Sequence, residues 1–176
     1  MSIEAKIKSV IRDVPDFPKL GIIFKDITPI MLDPALSQEI IDYLFDLYVD
    51  QNIDVVAGIE SRGFLFGYPL AIKLGLPFVL IRKKGKLPYD KISHDYELEY
   101  GISTIEMHTD AIKPNQRVLI HDDLLATGGS ASAAAHLIEK CGGKIVGFNF
   151  LVGLDFLNGE EKLTQFCDNI INLASY

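Results

Sequence analysis

The chain has 176 residues, of which 48% are hydrophobic and 23% are charged, values ordinary for one globular domain with a full core. Its formal net charge of −7 argues against a protein that mainly binds nucleic acid or an anionic membrane surface. We therefore predict a single domain over residues 1–176 with neither of these partners. Local basic clusters would then have to meet any anionic substrate.

The cysteines and the hydropathy of the chain bear on its compartment. Cys141 and Cys167 show neither the spacing of a metal site nor the number of a disulfide framework, so we expect two reduced thiols. The sequence contains no signal-like segment and no apolar run long enough to span a bilayer. These features predict a cytoplasmic protein.

The first third of the chain is predicted to contain two helices around an irregular stretch. Apolar residues at helical spacing predict an amphipathic helix over the first dozen residues. The two prolines within 14–18 end it, because proline disfavours helix at the preceding residue, and 19–29 is predicted as a loop or short strand. Asp33 and Pro34 are typical of an N-cap followed by the first helical position, so a second helix begins there.

Beyond residue 50, short apolar segments alternate with helical ones. The strands are predicted at 54–60, 77–82, 117–121 and 144–154, and the helices at 64–74 and 130–140. This alternation predicts an α/β fold, a mostly parallel twisted sheet with helices on both faces. Because ligands bind beyond the carboxyl ends of such strands, we expect the polar groups that follow the strands to converge.

Residues 83–108 do not fit this alternation. Apolar and polar residues alternate over 96–102 as in a strand, but Ile105 and Met107 carry the apolar face on the opposite parity. A turn or bulge at 101–104 would explain the slip. We predict a two-stranded flap beyond the main sheet, which is a candidate for an active-site lid.

Residues 117–131 contain the motif around which the site is predicted to form. The strand should end at Asp122 and Asp123, and the glycines at 128–129 then let backbone N–H groups converge at the start of a helix, an anion-binding arrangement. No lysine follows the loop, so it is not the common nucleotide-binding loop. The two acids would repel a polyphosphate but accept hydrogen bonds from hydroxyls. These features favour a sugar phosphate as the guest.

Several segments carry a family resemblance. Residues 118–131 resemble the site for phosphoribosyl pyrophosphate (PRPP) of type I phosphoribosyltransferases, namely a hydrophobic strand, two acids and Ala-Thr-Gly-Gly-Ser. Segments similar to the adenine-specific branch follow one another in the order Pro-Asp-Phe-Pro at 15–18, Phe-Lys-Asp-Ile at 24–27, Glu-Ser-Arg-Gly-Phe-Leu-Phe-Gly at 60–67, Leu-Ile-Arg-Lys-Lys-Gly-Lys-Leu-Pro at 80–88 and Leu-Glu-Tyr-Gly at 98–101. The resemblance implies that family's fold, with a base-binding N-terminal segment over 1–34 and a flexible lid over 83–108.

The resemblance also implies a reaction. Members of this branch transfer the 5-phosphoribosyl group of PRPP to N9 of adenine and release AMP and pyrophosphate, a Mg²⁺-dependent step of purine salvage. Displacement at ribose C1 passes through an oxocarbenium-like centre, and the leaving group carries most of the charge. Mg²⁺ would be held mainly by the pyrophosphate and ribose of the substrate, with Asp122 or Asp123 as a candidate protein ligand.

The roles in PRPP binding follow from the resemblance. Asp122 and Asp123 would take the ribose hydroxyls. The 5′-phosphate would lie on Ala126, Thr127, Gly128, Gly129 and Ser130, and further PRPP contacts would come from Ser61, Arg82, Lys83, Lys86 and Tyr100. Arg62 would stabilise the leaving pyrophosphate, with a surface ion pair as the alternative. Part of the basic cluster reaches the neighbouring subunit in this family, which implies a homodimer, although solvated lysines are as natural at 83 and 86.

The base and its proton are assigned in the same way. Leu124 and Phe24 would pack on the two faces of adenine, and Ile23 would hydrogen-bond its edge, with core packing as the alternative for the apolar residues. Lys25 departs from the arginine that the family more often has, which bears on the polar contact to the base. Glu99 would move the proton of the purine nitrogens as N9 attacks, with a solvated flap carboxylate as the alternative. His121 also stands where an apolar residue is usual.

Two other functions are compatible with parts of the sequence. A transferase for a 6-oxopurine would need a donor, typically a lysine, aimed at the exocyclic oxygen, and only Lys25 is a candidate. A PRPP-sensing regulator would be expected to carry a DNA-binding appendage and a basic patch and to have lost the lid. The net charge of −7 and the intact segment 98–101 count against the regulator.

Overall fold

A computed structural model describes residues 1–98 and 101–176 as an α/β structure around a twisted sheet. The strands are β1 (Arg12–Pro15), β2 (Ile23–Asp26), β3 (Val55–Ile59), β4 (Phe78–Lys83), β5 (Lys91–Leu98), β6 (Gly101–His108), β7 (Arg117–Leu125), β8 (Lys144–Gly153) and β9 (Ile170–Ser175). The helices are α1 (Ile3–Val10), α2 (Thr28–Met31), α3 (Pro34–Tyr48), α4 (Gly63–Leu74) and α5 (Gly129–Lys140), with 3₁₀ turns at Asp155–Leu157 and Gly159–Lys162.

The main sheet has a reversal of strand order at its centre. Within the described residues it contains seven strands in the order β5-β6-β4-β3-β7-β8-β9, and β4, β3, β7, β8 and β9 are parallel. The chain leaves β3 to form β4 on one side and later returns to form β7 on the other. The carboxyl ends of β3 and β7 therefore frame a crevice, which is where such sheets bind ligands. The predicted fold class is confirmed.

The helices cover both faces of the sheet, as predicted. On one face, α5 packs its alanines and Leu137 against Val118 and Ile120 of β7. On the other face, α1, α3 and α4 bury Ile7, Leu44 and Leu70 against Leu119 and the neighbouring strands. Consecutive residues of β7 thus enter opposite cores, which explains why this strand is apolar without alternation.

Several helix boundaries follow the sequence signals. The Asp33 carboxylate accepts hydrogen bonds from the backbone N–H groups of Ala35 and Leu36, both at 3.0 Å, and caps α3. Gly75 has the left-handed conformation that ends α4, with φ of +70°. The strand β1, the short helix α2 and the strand β9 have no counterpart among the elements predicted from the sequence. The prediction that Asp122 and Asp123 lie beyond the strand is wrong, because β7 continues to Leu125 and Asp122 pairs with Phe150 of β8.

The flap differs from its prediction in two respects. Strands β5 and β6 pair in continuous register from Lys91 opposite His108 to Leu98 opposite Gly101, so the turn or bulge predicted at 101–104 is wrong. Ile102 is exposed, whereas Ile105 and Met107 are buried. The apparent change of face between residues 102 and 105 therefore does not require an irregularity in the strand. The hairpin is also continuous with the main sheet, because β6 pairs with β4 at Arg82–Glu106.

Two further expectations concern the whole chain. Cys141 and Cys167 are both free thiols, as expected. Among the helices that the structure describes, none combines the length and the apolar character that crossing a membrane requires.

Candidate active site

A cavity of about 260 Å³ lies where the carboxyl ends of β3, β4 and β7 meet. It is lined by Ile59 at the end of β3 and the three residues that follow it, Lys83 at the end of β4, Tyr96 and Ile105 of the flap, and residues 122–131. Three of the predicted groups of polar residues thus converge, because parallel strands bring their carboxyl ends to one edge. Tyr96 is an addition that sequence reasoning placed only as an apolar flap residue.

The phosphate loop, which we define as residues 126–130, leads from β7 into α5. Gly128 has φ of +74° and ψ of 2°, a left-handed conformation that glycine adopts without steric cost. Among the described residues, no side chain caps the N-terminus of α5. Its first residues line the cavity, and their backbone N–H groups have no side-chain partner in the part of the chain that the structure describes. These groups and the helix dipole favour an anion there.

Asp122 and Asp123 line the cavity but are 8% and 5% exposed, respectively. The backbone N–H of Asp123 donates to Oδ1 of Asp122 at 2.9 Å. Burial, reinforced by the neighbouring charge of Asp123, raises the pKa of Asp122 well above its ordinary value. Burial also raises the pKa of Asp123, but the guanidinium of Arg62 opposes this shift. The pKa of Asp122 is therefore raised more strongly than that of Asp123, which has Arg62 beside it.

Arg62 connects the acids to the N-terminal segment. Its Nε lies 2.8 Å from Oδ2 of Asp123, and its Cζ lies 5.4 Å from the ring centre of Phe24. The partner carboxylate is buried, so this contact is not the surface ion pair that the sequence left open. Gly63 allows the start of α4 to lie close to β7, since a Cβ on it would lie 2.9 Å from Oδ1 of Asp122 and 2.9 Å from the His121 carbonyl oxygen.

The second basic cluster is only partly at the cavity. Lys83 lines it, whereas Arg82 and Lys86 are not among its lining residues. Nε of Arg82 donates to Oε2 of Glu60 at 3.1 Å, and its Nη1 donates to the Lys86 carbonyl at 3.2 Å. Burial would raise the pKa of Glu60, but hydrogen bonds from the Lys83 backbone and Arg82 bring that pKa below its ordinary value. Glu60 thus fixes the direction in which the chain leaves β4.

Of the four predicted base-binding residues, Leu124 lines the cavity, whereas Ile23, Phe24 and Lys25 lie on β2 outside its lining. The ring of Phe24 packs on Arg62 and edge-on to Phe17, with ring centres 5.2 Å apart. Ile23 precedes Phe24 on β2 and is exposed. Lys25 is held elsewhere, since its Nζ lies 2.7 Å from Oδ1 of Asp13 and 3.9 Å from the ring centre of Tyr176.

His121 is fully buried beside the acids. Its Nδ1 lies 2.8 Å from Oδ1 of Asn149, and burial lowers its pKa to about 4. The side chain of His121 on β7 therefore connects to Asn149 on β8 as a neutral imidazole, which is a structural role. The sequence offered no account of His121, because its partner lies 28 residues away in the chain.

Known proteins resemble this chain in both sequence and fold. The model of the phosphoribosyl transferase domain matches residues 30–171 of the chain. The chain belongs to the phosphoribosyltransferase family. It is 52% identical to the adenine phosphoribosyltransferase of Cytophaga hutchinsonii over 174 residues, which cover 99% of this chain and 96% of that protein.

Solved phosphoribosyltransferase structures agree in the fold. The adenine phosphoribosyltransferase of Thermoanaerobacter pseudethanolicus is 48% identical and superposes with a TM-score of 0.93 over 98% of this chain and 99% of that one. The enzyme of Saccharomyces cerevisiae is 40% identical with a TM-score of 0.90 over 97% and 98% of the two chains. That structure is a complex with adenine and D-2,5-dideoxy-2,5-imino-altritol 1,6-bisphosphate.

Membership of the phosphoribosyltransferase family leaves individual site residues as predictions. Glu99 and Tyr100, the predicted lid residues, lie outside the residues that the structure describes. Gly159 was missed by sequence reasoning altogether, although it packs directly against the phosphate loop. Nothing in the sequence near residue 159 signals that contact.

Proposed function

We propose that this phosphoribosyltransferase transfers the 5-phosphoribosyl group of PRPP to N9 of adenine, giving AMP and pyrophosphate in purine salvage. The observation that carries the proposal is the cavity at the switch point of the sheet, in which an uncapped phosphate loop stands beside the acids Asp122 and Asp123. The relatives named above are adenine phosphoribosyltransferases throughout, and they cover nearly the whole chain.

The substrate fits the cavity in one direction. The 5′-phosphate lies on the phosphate loop, whose backbone donors are suited to a monoester. The ribose hydroxyls then meet Asp123, whose carboxylate accepts, and Asp122, whose raised pKa favours a carboxyl group that can also donate. Pyrophosphate leaves toward Arg62 and Lys83, whose charges stabilise it more as negative charge develops on it. This cationic stabilisation is strongest in the transition state, where it lowers the barrier.

The base occupies the side of the cavity toward the N-terminal segment. Leu124, which lines the cavity, would offer one apolar face. Phe24, which contacts the cavity residue Arg62, would offer the other, and the guanidinium of Arg62 contacts both the phenyl ring and Asp123. Ile23 supplies backbone groups to the purine edge, and Tyr100 and Ser61 add contacts to PRPP. We assign proton transfer at the purine nitrogens to Glu99 by resemblance, because closure of the lid over the base would partly desolvate that carboxylate and raise its pKa toward neutrality.

Magnesium is the cofactor that we propose. Mg²⁺ prefers oxygen ligands and usually keeps several waters and substrate phosphates in its shell. The donor set agrees with that, since the described residues contain no group of three or more acids, histidines or cysteines that could enclose a metal. PRPP would supply most ligands and Asp123 or Asp122 the remainder, and the bound metal would neutralise charge on the pyrophosphate.

We also propose a homodimer located, as the sequence predicts, in the cytoplasm. An apolar patch on α4 and β4 is defined here as Phe64, Leu65, Tyr68, Ile72, Phe78 and Leu80. Phe64, Tyr68, Phe78 and Leu80 line an open groove of about 470 Å³, and Leu65 and Ile72 are exposed on the same helix. Contiguous apolar surface of this kind is typical of interfaces. Arg82 and Lys83 lie at the end of the same strand, so a partner bound there would bring basic residues of each subunit near the other, and Lys86 follows in the adjoining loop.

The choice of base is the sharpest test. Purified protein with PRPP and Mg²⁺ is offered adenine, hypoxanthine and guanine in competition, and the nucleotide products are separated by chromatography. We expect AMP, with the 6-oxopurines at least about a hundredfold poorer, since a site built for one set of hydrogen bonds leaves polar groups unpaired with another. Lys25, the one candidate donor for a 6-oxopurine, is engaged by Asp13. Comparable use of guanine would contradict the base assignment.

The lid carboxylate is tested by Glu99→Gln with Glu97→Gln as the matched control on the same hairpin. Loss of a general acid or base typically costs about 10²- to 10⁴-fold, so kcat of Glu99→Gln should fall by that amount while the KM for PRPP changes little. Glu97→Gln should retain kcat within about threefold. Equal effects of the two substitutions on kcat would remove Glu99 from the proposed proton transfer.

A further inference from the structure

Two glycines from distant parts of the chain meet under the phosphate loop. A Cβ on Gly159 would overlap the carbonyl oxygen of Ala126 and lie 3.0 Å from the backbone nitrogen of Gly128. A Cβ on Gly128 would in turn overlap the carbonyl oxygen of Gly159. These neighbours are backbone atoms, which cannot rotate aside as a flexible side chain can. The contact therefore requires glycine at position 159 independently of its φ angle.

The segment that carries Gly159, which we call the brace (residues 155–162), is fixed at several points. The backbone N–H of Asp155 donates to the Tyr176 carbonyl at 3.0 Å. Nδ2 of Asn172 on β9 donates to Oε1 of Glu160 at 2.7 Å. Leu163, directly after the brace, is fully buried in the core on the α5 face. The brace is thus tied to β9, the C-terminus and the core, and Gly159 itself is buried.

The phosphate loop, in contrast, is not fixed by a side-chain cap at the start of α5 from any of the described residues, and it turns through the left-handed Gly128. The backbone of residue 159 lies so close to Ala126 and Gly128 that no Cβ fits between them, and this packing helps to orient the backbone donors that would meet a phosphate. A shift of the brace by a fraction of an ångström would tilt these donors away from their common point.

We propose that Gly159 is a positioning residue for substrate phosphate. The bare backbone at 159 lets the brace support Ala126 and Gly128 from below, so the loop is held in its binding geometry before the phosphate arrives. A preorganised loop binds more tightly because less ordering is left to occur on binding. This inference rests on the proposed function, since it takes the 5′-phosphate of PRPP as the guest.

The test measures binding of two anions to Gly159→Ala by calorimetry. Ribose 5-phosphate places its phosphate in the loop, whereas pyrophosphate binds at the Arg62 side of the cavity. We expect affinity for ribose 5-phosphate to fall at least about tenfold and affinity for pyrophosphate to change less than about twofold, because the added methyl displaces only the loop. In steady-state assays the KM for PRPP should rise by a similar factor, with the KM for adenine and kcat little changed.

Gly147→Ala is the matched control for crowding. A Cβ at Gly147 would lie 2.8 Å from Nδ2 of Asn169 and 3.1 Å from Leu119, near the opposite end of β8. It should lower the melting temperature without changing either anion affinity. Glu160→Ala provides a milder variant, because Glu160 is exposed and its loss removes only the hydrogen bond from Asn172. We expect a two- to fivefold loss of ribose 5-phosphate affinity from it, because this hydrogen bond to an exposed carboxylate is one of several contacts that hold the brace.

The outcomes separate this inference from the proposed function. A wild-type protein that makes no AMP and binds no ribose 5-phosphate would contradict the proposed function. An active wild type, with ribose 5-phosphate affinity unchanged in Gly159→Ala, would overturn only the role of Gly159, as would equal losses for ribose 5-phosphate and pyrophosphate. If Gly159→Ala fails to fold, Glu160→Ala decides in the same way.

Discussion

At the scale of single residues, adjacent acids in this cavity are made chemically different by their neighbours. Asp122 has an acceptor role toward the Asp123 backbone and is surrounded by protein, whereas Asp123 has the guanidinium of Arg62 at 2.8 Å. Two buried carboxylates this close do not both ionise readily, and the one beside a cation gives up its proton first. A ribose diol therefore meets one acceptor and one group that can donate as well.

The pH dependence of stability tests this assignment with Asp122→Asn. Burial and the Asp123 charge raise the pKa of Asp122, so the folded state holds a proton that the unfolded chain loses near pH 4. A raised folded-state pKa gives stability that is complete below the unfolded pKa and is lost as the pH rises. Asparagine does not titrate, so the variant should gain free energy of unfolding relative to wild type between pH 4 and pH 7. Urea denaturation across that range measures it.

Asp123→Asn is the matched control at the neighbouring position. Burial raises the pKa of Asp123 too, but less than that of Asp122 because Arg62 opposes the shift, so Asp123→Asn should gain less free energy of unfolding over this pH range than Asp122→Asn does. It also leaves Arg62 without its charged partner, and it should weaken PRPP binding more than Asp122→Asn does, since hydrogen bonds to charged groups are worth about 1.5–3 kcal/mol. A parallel pH response of the two variants would show that the acids are equivalent. Unchanged PRPP binding in both would remove them from the ribose site.

At the scale of elements, the flap rests on the helix that follows the phosphate loop. His94 of β5 stacks on His136 of α5 with ring centres 4.8 Å apart and planes 23° from parallel. Nearer the cavity, a Cβ on Gly129 would lie 3.2 Å from the Glu97 carbonyl and 3.3 Å from Cδ2 of Tyr96. The flap and the phosphate loop therefore pack against each other, so a displacement of one changes the contacts of the other.

The imidazole titration of His94 reports on this docking. Burial lowers the pKa of His94, the charges of His136 and Lys140 lower it further, and Asp95 opposes them. NMR titration should therefore give a pKa below 6.5, the ordinary value for histidine. His136→Asn should raise it by removing one positive neighbour. A pKa at or above 6.5 in wild type, or no change in the variant, would contradict the stacked arrangement in solution.

Prediction from sequence succeeded where the signal is local and failed where it needs a partner. The Asp33 cap, the left-handed Gly75 and the apolar run of β7 are each encoded within a few residues. The exposure of Ile102 cannot be derived that way, since its burial depends on what lies opposite it. The position of the Lys25 side chain could not be derived either, because its partner Asp13 lies on the strand β1, which the sequence did not indicate.

The site shows the same division. The motif at 122–130 identified the phosphate loop and its acids because strand, acid pair and glycines are contiguous. Gly159 approaches from a segment more than thirty residues away, which no spacing rule connects to the loop. The resemblance to a family supplied the roles of Arg62 and Lys83, and the structure placed both at one cavity. Their contact with pyrophosphate remains a prediction.

At the scale of the whole molecule, the apolar patch on α4 and β4 is largely open to solvent in the isolated chain. Tyr68 is 55% exposed and Ile72 is 62% exposed, one turn apart on the same helix face. Phe78 packs against Tyr68 with ring centres 5.6 Å apart, so the patch has a fixed shape. A second copy of the chain would cover this surface by bringing the two patches together about a twofold axis.

Charge placed on this patch should separate the subunits without unfolding them. In the variant Tyr68→Glu with Ile72→Glu, both substitutions are exposed in the single chain, so the melting temperature of each subunit should change little. A dimer would have to bury both carboxylates of each subunit without partners, which is costly enough to shift the mass from dimer to monomer. Analytical ultracentrifugation measures the shift. The KM for PRPP should rise in the monomer if basic residues act across the interface.

Leu32→Glu is the control for adding charge to an exposed apolar position. Leu32 is 81% exposed and follows the short helix α2, outside the patch on α4 and β4. It should leave both the mass and the KM for PRPP unchanged. A wild type that sediments as a monomer at all concentrations would exclude the homodimer. A dimer that persists in the double variant would mean that the subunits meet through another face, because unpaired carboxylates buried in an apolar interface would not be tolerated.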